Sequence, residues 1–165
     1  AVPDSYLLAA AEAYLLCYEA SDLPPPPPDL AVFVVDLLEA EGRLFQIQQC
    51  VTFGGLVDSL PLAERLLALG RPEVRELGLE MLGRLGQHER VCRELLEAGR
   101  LIEGLGVLRR HRLEGIPPHD FLEAALQDSD PALFVAVFRF CRTCVPDFEA
   151  LSGTCQAALE TLQLC

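Results

Sequence analysis

The 165-residue chain contains no lysine, and its 13 basic residues, all arginine, stand against 25 acidic residues. The resulting net charge of -12 argues against a duplex nucleic acid as partner, because neutralising phosphates requires a basic surface. The same repulsion disfavours direct binding to anionic lipid. Composition therefore points away from nucleic acids and charged membranes and towards protein partners.

Long apolar runs are also missing, since Glu, Asp or Arg interrupts each one before the roughly 18 residues that a membrane span requires. The chain starts without methionine, and its first apolar stretch contains Glu12 and lacks a basic leader, which does not fit a signal peptide. Seven scattered cysteines, an odd number, are typical of free thiols in a reducing compartment. We expect a cytosolic fragment of a longer protein without a transmembrane segment.

Strand signals are absent, with no alternating apolar pattern and no Asn-Gly or Asp-Gly turn. Apolar residues instead recur at intervals of three and four, as Val74, Leu77, Met81 and Leu85 do, which predicts an all-α chain. Asp29 is the predicted N-cap of the second helix, and Ser59 with Pro61 starts the fourth. The predicted helices cover residues 6–20, 30–41, 43–53, 60–69, 72–86, 88–98, 100–113, 117–126, 131–142 and 147–164.

Five consecutive prolines within residues 21–28 predict a stiff linker between the first and second helices. An internal echo follows: "DLLEAEGRL" at 36–44 and "ELLEAGRL" at 94–101 each end a helix in Glu-Ala, stop at glycine and restart at Arg-Leu. Repetition of a helix-turn-helix unit is typical of helical hairpins stacked as an α-solenoid, with a compact bundle as the alternative. We expect one helical-repeat domain over residues 1–165.

The stretch "LFVAVFRFCRTC", residues 133–144, closes on a Cys-x-x-Cys pair. Leu133, Phe134, Val137 and Phe138 recur at helical spacing, which predicts core positions. A redox pair needs its first thiol at a helix N-terminus, whereas Cys141 and Cys144 end a helix, and no second ligand pair for zinc is spaced nearby. We interpret both cysteines as apolar-like helix residues, with a thiol oxidoreductase or zinc protein as the alternative.

Other candidate sites give weak signals. His88, His111 and His119 lie in polar junctions without metal spacing, and none pairs with a nucleophile. The glycines of "FGGLVDS" and "GLGVL" do not fit a phosphate-binding loop. No catalytic set or metal site is therefore indicated, and we predict neither an enzyme nor a cofactor.

The only basic cluster is "RRHR", which contains Arg109, Arg110 and Arg112. Cations in the last turn of a helix complement its dipole, which is one interpretation of the cluster. The other is a partner-binding patch, because a local positive cluster attracts an acidic surface. On a helix continuing to residue 113, Arg109 and Arg112 would point in similar directions.

Several segments resemble a known family: "PLAERLLAL" (61–69), "LGLEMLGRL" (77–85), "ELLEAGRLIEGLGVLR" (94–109) and "FLEAALQDSDPALFVAVFRF" (121–140), together with "FVVDLLEAEGRLFQIQQCV" (33–51). They are similar to the Mic-one-like C-terminal domain of the regulator subunit of the Mon–Ccz complex (Bulli-like). The resemblance covers roughly residues 6–164, and none of its motifs is catalytic.

The resemblance implies a helical-repeat arm that follows an N-terminal β-propeller in an accessory subunit. That complex would exchange nucleotide on a Rab-seven-type GTPase in endosome–lysosome traffic and autophagy. The exchange reaction would be performed by the two other subunits, which would be the partners of this chain. The chain would lie in the cytosol, peripheral to late endosomal, lysosomal and autophagosomal membranes. The alternative is a helical arm of another vesicle-tethering or coat complex.

Overall fold

The structure is a computed structural model that describes residues 3–19, 27–53, 55–128 and 130–144. Helices account for all of the regular structure in these ranges, which confirms the all-α prediction. The predicted helix over 147–164 and most of the proline-rich linker lie outside the described residues. The helices are α1 (Asp4–Glu19), α2 (Pro28–Ala40), α3 (Leu44–Thr52), α4 (Leu60–Ala68), α5 (Pro72–Arg84), α6 (His88–Glu97), α7 (Leu101–His111), α8 (Pro118–Gln127) and α9 (Pro131–Cys144).

Two of the predicted helix starts have different outcomes. At α4 the Ser59 hydroxyl accepts a hydrogen bond from the Leu62 amide at 3.4 Å, which confirms Ser59 as the N-cap. At α2 the N-cap is Pro27, and Asp29 lies inside the first turn, so the prediction for Asp29 was wrong. The reason is that proline fixes φ near -60° and has no amide hydrogen to satisfy, which suits a helix start at Pro28.

The described residues divide into two compact units, one within residues 1–86 and the other within residues 87–165. The expectation of one helical-repeat domain over 1–165 stays a prediction. The first unit contains α1 to α5 and the second contains α6 to α9.

In the first unit, α2 packs against α1, α3 and α4, while α5 packs against α3 and α4. Its described core is aliphatic, with Leu38, Ile47, Leu62, Leu66 and Met81 fully buried. Each such side chain contributes roughly 1.5–3 kcal/mol on burial. Val74, Leu77 and Met81 share the buried face of α5 as predicted, whereas Leu85 is half-buried because the helix ends at Arg84.

In the second unit, α7 packs against α6, α8 and α9, and α8 packs against α9. Phe121 and Phe134 are fully buried among Cys92, Leu101, Leu105, Ile116, Leu122, Ala125, Val137 and Cys141. The core prediction is confirmed for Phe134 and Val137. It was wrong in degree for Leu133 and Phe138, which are half-buried at the edge of this cluster because only one face of α9 meets it.

The sequence echo corresponds to one repeated backbone turn. After α2, Gly42 has φ +71°, and its amide and that of Arg43 donate to the Glu39 and Leu38 carbonyls. After α6, Gly99 has φ +72°, and its amide and that of Arg100 donate to the Leu96 and Leu95 carbonyls. This pair of bonds defines a Schellman turn, in which a left-handed residue ends a helix. The two copies therefore share the same backbone geometry at the turn as well as a similar amino-acid sequence.

Candidate functional site

The basic end is defined here as Arg109, Arg110 and Arg112, at the C-terminus of α7. Arg109 and Arg110 lie in the last helical turn, and Arg112 follows the final residue, His111. The amide of Leu113 donates to the Leu108 carbonyl at 3.1 Å, and this bond ends the helix. All three arginines are exposed, so the end of α7 presents three positive charges to solvent.

Arg112 has an unusual backbone conformation, with φ +50° and ψ +49°. It is the one non-glycine residue with positive φ in the described ranges, and it takes the position that Gly99 takes after α6. A side chain in the left-handed region costs about 1 kcal/mol relative to glycine. The helix expected to continue to residue 113 ends at His111, so the spacing behind the expected shared direction of Arg109 and Arg112 does not hold, and that direction stays a prediction.

The arginines of the basic end differ from other arginines of the chain in the ion pairs that their side chains form. Arg84 forms a two-bond pair with Asp58 at 2.5 and 2.8 Å, and Arg100 forms a two-bond pair with Glu103 at 2.9 and 2.6 Å. The bond from Arg100 lowers the pKa of the Glu103 carboxyl. In the described part of the chain, the guanidinium groups of the basic end form no ion pair, which leaves their charge available to an acidic surface.

The imidazole rings of His88 and His111 are stacked beside this cluster, with centroids 3.5 Å apart and planes 18° apart. His88 begins α6 and His111 ends α7, so the contact joins the two helices of one hairpin. Loss of water around the ring, followed by the charges of His88 and Arg110, lowers the pKa of His111. The sequence placed both histidines at helix junctions but carried no signal that they would meet.

Two of the described cysteines, Cys92 and Cys141, lie where a packed helix needs apolar residues. Cys141 is fully buried in the core of the second unit, and its thiol faces the Pro118 carbonyl at 3.8 Å. The side chain of Cys144 lies outside the described residues. Cys92 is also buried, it donates to the Gly104 carbonyl at 3.3 Å, and burial raises its pKa, which favours the thiol over the thiolate.

His119 is exposed and lies 3.1 Å from the Asp120 carboxylate beside it at the start of α8. In the residues that the structure describes, no three His, Cys, Asp or Glu side chains come together as metal ligands. None of the described helices combines the length and apolar character needed to cross a membrane.

Sequence reasoning missed a groove between α2 and α4, of about 480 Å³. We call it the acidic groove. Three carboxylates and one arginine lie around it, together with Phe33, whose side chain is 42% exposed. A signal was present, since the lining residues of each helix are spaced three, four and seven apart. The lining consists of Asp29, Val32, Phe33 and Asp36 from α2 and Pro61, Glu64, Arg65 and Ala68 from α4.

These features define an all-helical protein whose candidate sites are two surfaces of opposite charge. The family described as "Regulator of MON1-CCZ1 complex, C-terminal" matches residues 2–145, and the chain belongs to this family. Membership confirms the resemblance drawn from the segments between residues 33 and 140.

Three curated relatives support the same assignment. The chain is 27% identical to a regulator of MON1-CCZ1 complex homolog from Dictyostelium discoideum, over 84% of this chain and 15% of that protein. It is 29% identical to the Mus musculus regulator of MON1-CCZ1 complex over 84% of this chain and 22% of that protein. It is 33% identical to the Homo sapiens regulator over 65% of this chain and 17% of that protein. The chain thus spans about a fifth or less of the relatives' length.

Proposed function

We propose that this chain is a non-catalytic interaction module, the helical arm of an accessory subunit that regulates the MON1-CCZ1 complex. The proposal includes a role in activating a Rab-seven-type GTPase during endosome–lysosome traffic and autophagy, on the cytosolic side of those membranes. Membership of the regulator family and the names of the relatives support the accessory role.

The helix pairing within each unit supports an α-solenoid arrangement for this arm. In the first unit, α2 contacts both α3 and α4, and α5 contacts both α3 and α4. In the second unit, α7 contacts α6 and α9, and α8 contacts α9. Contacts of each helix with its hairpin partner and with the matching helix of the next hairpin are typical of stacked repeats.

The observation on which the partner-binding proposal rests is the basic end. Three exposed arginines form no ion pair within the described residues, in a chain whose net charge is -12. We assign Arg109, Arg110 and Arg112 to contact with an acidic surface on one of the two exchange-factor subunits. Charge pairing of this kind acts mainly on the association rate and weakens as salt rises.

The test measures association of the purified two-subunit MON1-CCZ1 complex with the immobilised chain, at low and moderate salt. Arg109→Glu with Arg112→Glu should slow association about tenfold at low salt, and the difference should shrink as salt is raised. The matched control is Arg139→Glu with Arg142→Glu, which makes the same change in net charge at two exposed positions on α9 of the same unit.

A second variant separates binding from folding. Arg112→Gly removes one positive charge and also relieves the left-handed backbone, so it should stabilise the fold by about 0.5–1 kcal/mol while association slows. Equal association rates for the wild type and the double reversal at low salt would contradict the assignment of the basic end. Failure of the wild-type chain to bind would contradict direct contact through this arm.

A further inference from the structure

We propose that the acidic groove between α2 and α4 is a docking site for a helix of a partner protein, one with an apolar stripe flanked by lysine or arginine. The groove lies in the first unit, and its residues are separate from the basic end. Because the two surfaces have opposite charge, they select different partner segments. The inference therefore goes beyond the proposed function of the basic end and can fail independently of it.

The shape of the groove fits a helix. Each wall is one stripe of a helix, with four residues spaced three, four and seven apart, and so extends over about two turns or 10 Å. Binding of an amphipathic helix between two such stripes is a common mode of peptide recognition.

Apolar side chains in the groove are already open to solvent. The side chain of Phe33 is 42% exposed. Pro61 and Ala68 are exposed as well, and Val32 is half-buried. Aromatic side chains that become covered on association contribute most of the binding energy at many interfaces. Phe33 is therefore the expected anchor for the apolar stripe of the partner.

The charges around the groove determine whether the partner helix should be basic or acidic. The guanidinium of Arg65 lies 2.5 Å from Asp36 and 2.5 Å from Glu39, and the hydrogen bond to Asp36 is the main cause of its raised pKa. Arg65 thus stands against Asp29, Asp36 and Glu39, which leaves about two negative charges at the rim. Complementarity favours a basic helix and opposes an acidic one.

The probes are two helical peptides of about 18 residues, about five turns, with the same leucine stripe and flanks of either lysine and arginine or glutamate. Binding to the complete 165-residue chain is measured by fluorescence anisotropy. The basic peptide should bind at least about tenfold more tightly than the acidic peptide, and this preference should fall as salt is raised.

Substitutions in the groove separate its apolar and electrostatic contributions. Phe33→Ala should weaken binding of the basic peptide about tenfold, whereas Phe53→Ala, at an 80% exposed phenylalanine outside the groove, should leave it unchanged. Asp29→Asn with Glu64→Gln should weaken binding about threefold to tenfold. The matched control is Glu41→Gln with Glu73→Gln, two exposed positions outside the groove.

Three results would overturn the proposal. Equal affinity for the two peptides would exclude charge selection, and unchanged binding after both groove substitutions would place the peptide elsewhere. Self-association of the chain that Phe33→Ala abolishes, measured by sedimentation, would make a second copy the occupant. Circular dichroism melting checks the fold of each variant, and the surface pair Asp29→Asn with Glu64→Gln keeps the test decisive if Phe33→Ala unfolds.

Discussion

The two units of this chain differ in how their cores and surfaces are built. The first has an aliphatic described core, and at its surface three arginines form ion pairs with carboxylates of other segments: Arg43 with Glu12, Arg65 with Asp36 and Glu39, and Arg84 with Asp58. The second buries Phe121 and Phe134 and leaves the arginines of the basic end unpaired within the described residues. The first has five arginines against 13 acidic residues, a net charge of -8, and the second has eight against 12, a net charge of -4.

This difference separates two uses of the same residue type. An arginine between helices forms ion pairs within its own unit, and such exposed pairs contribute about 0–1 kcal/mol each. The three arginines at the C-terminus of α7 form no ion pair within the described residues, so their charge can act on a partner. The position of an arginine in the fold, more than its presence in the sequence, decides between these uses.

The largest expected effect tests the aromatic core of the second unit. Phe134→Ala should destabilise the chain by about 3–5 kcal/mol, because the side chain is 1% exposed and its removal leaves a cavity. Phe138→Ala should cost roughly half of that, since Phe138 is half-buried at the edge of the same cluster. Denaturant unfolding gives the free energies, and hydrogen exchange should locate the loss in residues 87–144. Equal costs at the two positions would contradict the assigned core face of α9.

The next largest effect is the loss of stability when a methyl group is added at a buried glycine. It should be larger beside a rigid aromatic side chain than beside a flexible aliphatic one. A Cβ at Gly104 would lie 2.8 Å from a ring carbon of Phe121, so Gly104→Ala should cost about 1–3 kcal/mol. A Cβ at Gly78 would lie 3.0 Å from the Leu67 side chain and 3.1 Å from the Ala63 carbonyl, and the leucine can move partly aside. Gly78→Ala should therefore cost less.

The control for this comparison is Gly106, on α7 two residues after Gly104, where an added Cβ would meet nothing within 4 Å. Gly106→Ala should stabilise the chain by about 0.5–1 kcal/mol, because alanine favours the helix and restricts the unfolded state. Thermal unfolding of the three variants provides the measurement. A larger loss of stability for Gly78→Ala than for Gly104→Ala would contradict the expectation that an aliphatic neighbour accommodates the added methyl group more easily than an aromatic one.

The smallest effect concerns the stacked histidines at the basic end. The pKa of His111 is lowered from its ordinary value of 6.5, so the folded state binds fewer protons than the unfolded state just below that value. Stability should therefore decrease as the pH falls below about 6.5, and the decrease should end below the folded pKa. Denaturant midpoints between about pH 8 and pH 5 provide the measurement.

A variant identifies the group responsible for this pH dependence. His88→Gln removes the stacked ring and its charge, and should move the pKa of His111, followed by NMR, back towards 6.5. A wild-type His111 that titrates at or above 6.5 would contradict the effect of the stack.

Periodicity in the sequence predicted the helices within the described residues well, because a buried face repeats every three or four residues along a helix. Ser59 was predicted as an N-cap for a similarly local reason, the short reach of its hydroxyl. Asp29 was not predicted correctly, since an acidic residue near a helix start fits both a cap and a first turn, and the prolines before it decided between them. The partial burial of Phe138 was not predicted, because it depends on how many helices pack against α9, and the spacing of apolar residues carries no information about that.

By itself the sequence determined the helical class, the glycine turns of the echo, the acidic charge and the family pattern, because each depends on local spacing or on composition. Only the tertiary structure decided that Arg112 leaves the helix, that His88 stacks on His111, and that α2 and α4 form a groove. The stack and the groove join residues 23 or more positions apart, and the turn at Arg112 places a charged residue where glycine is the usual choice. Contacts of this kind arise from packing between helices, and no local pattern specifies which helices will meet.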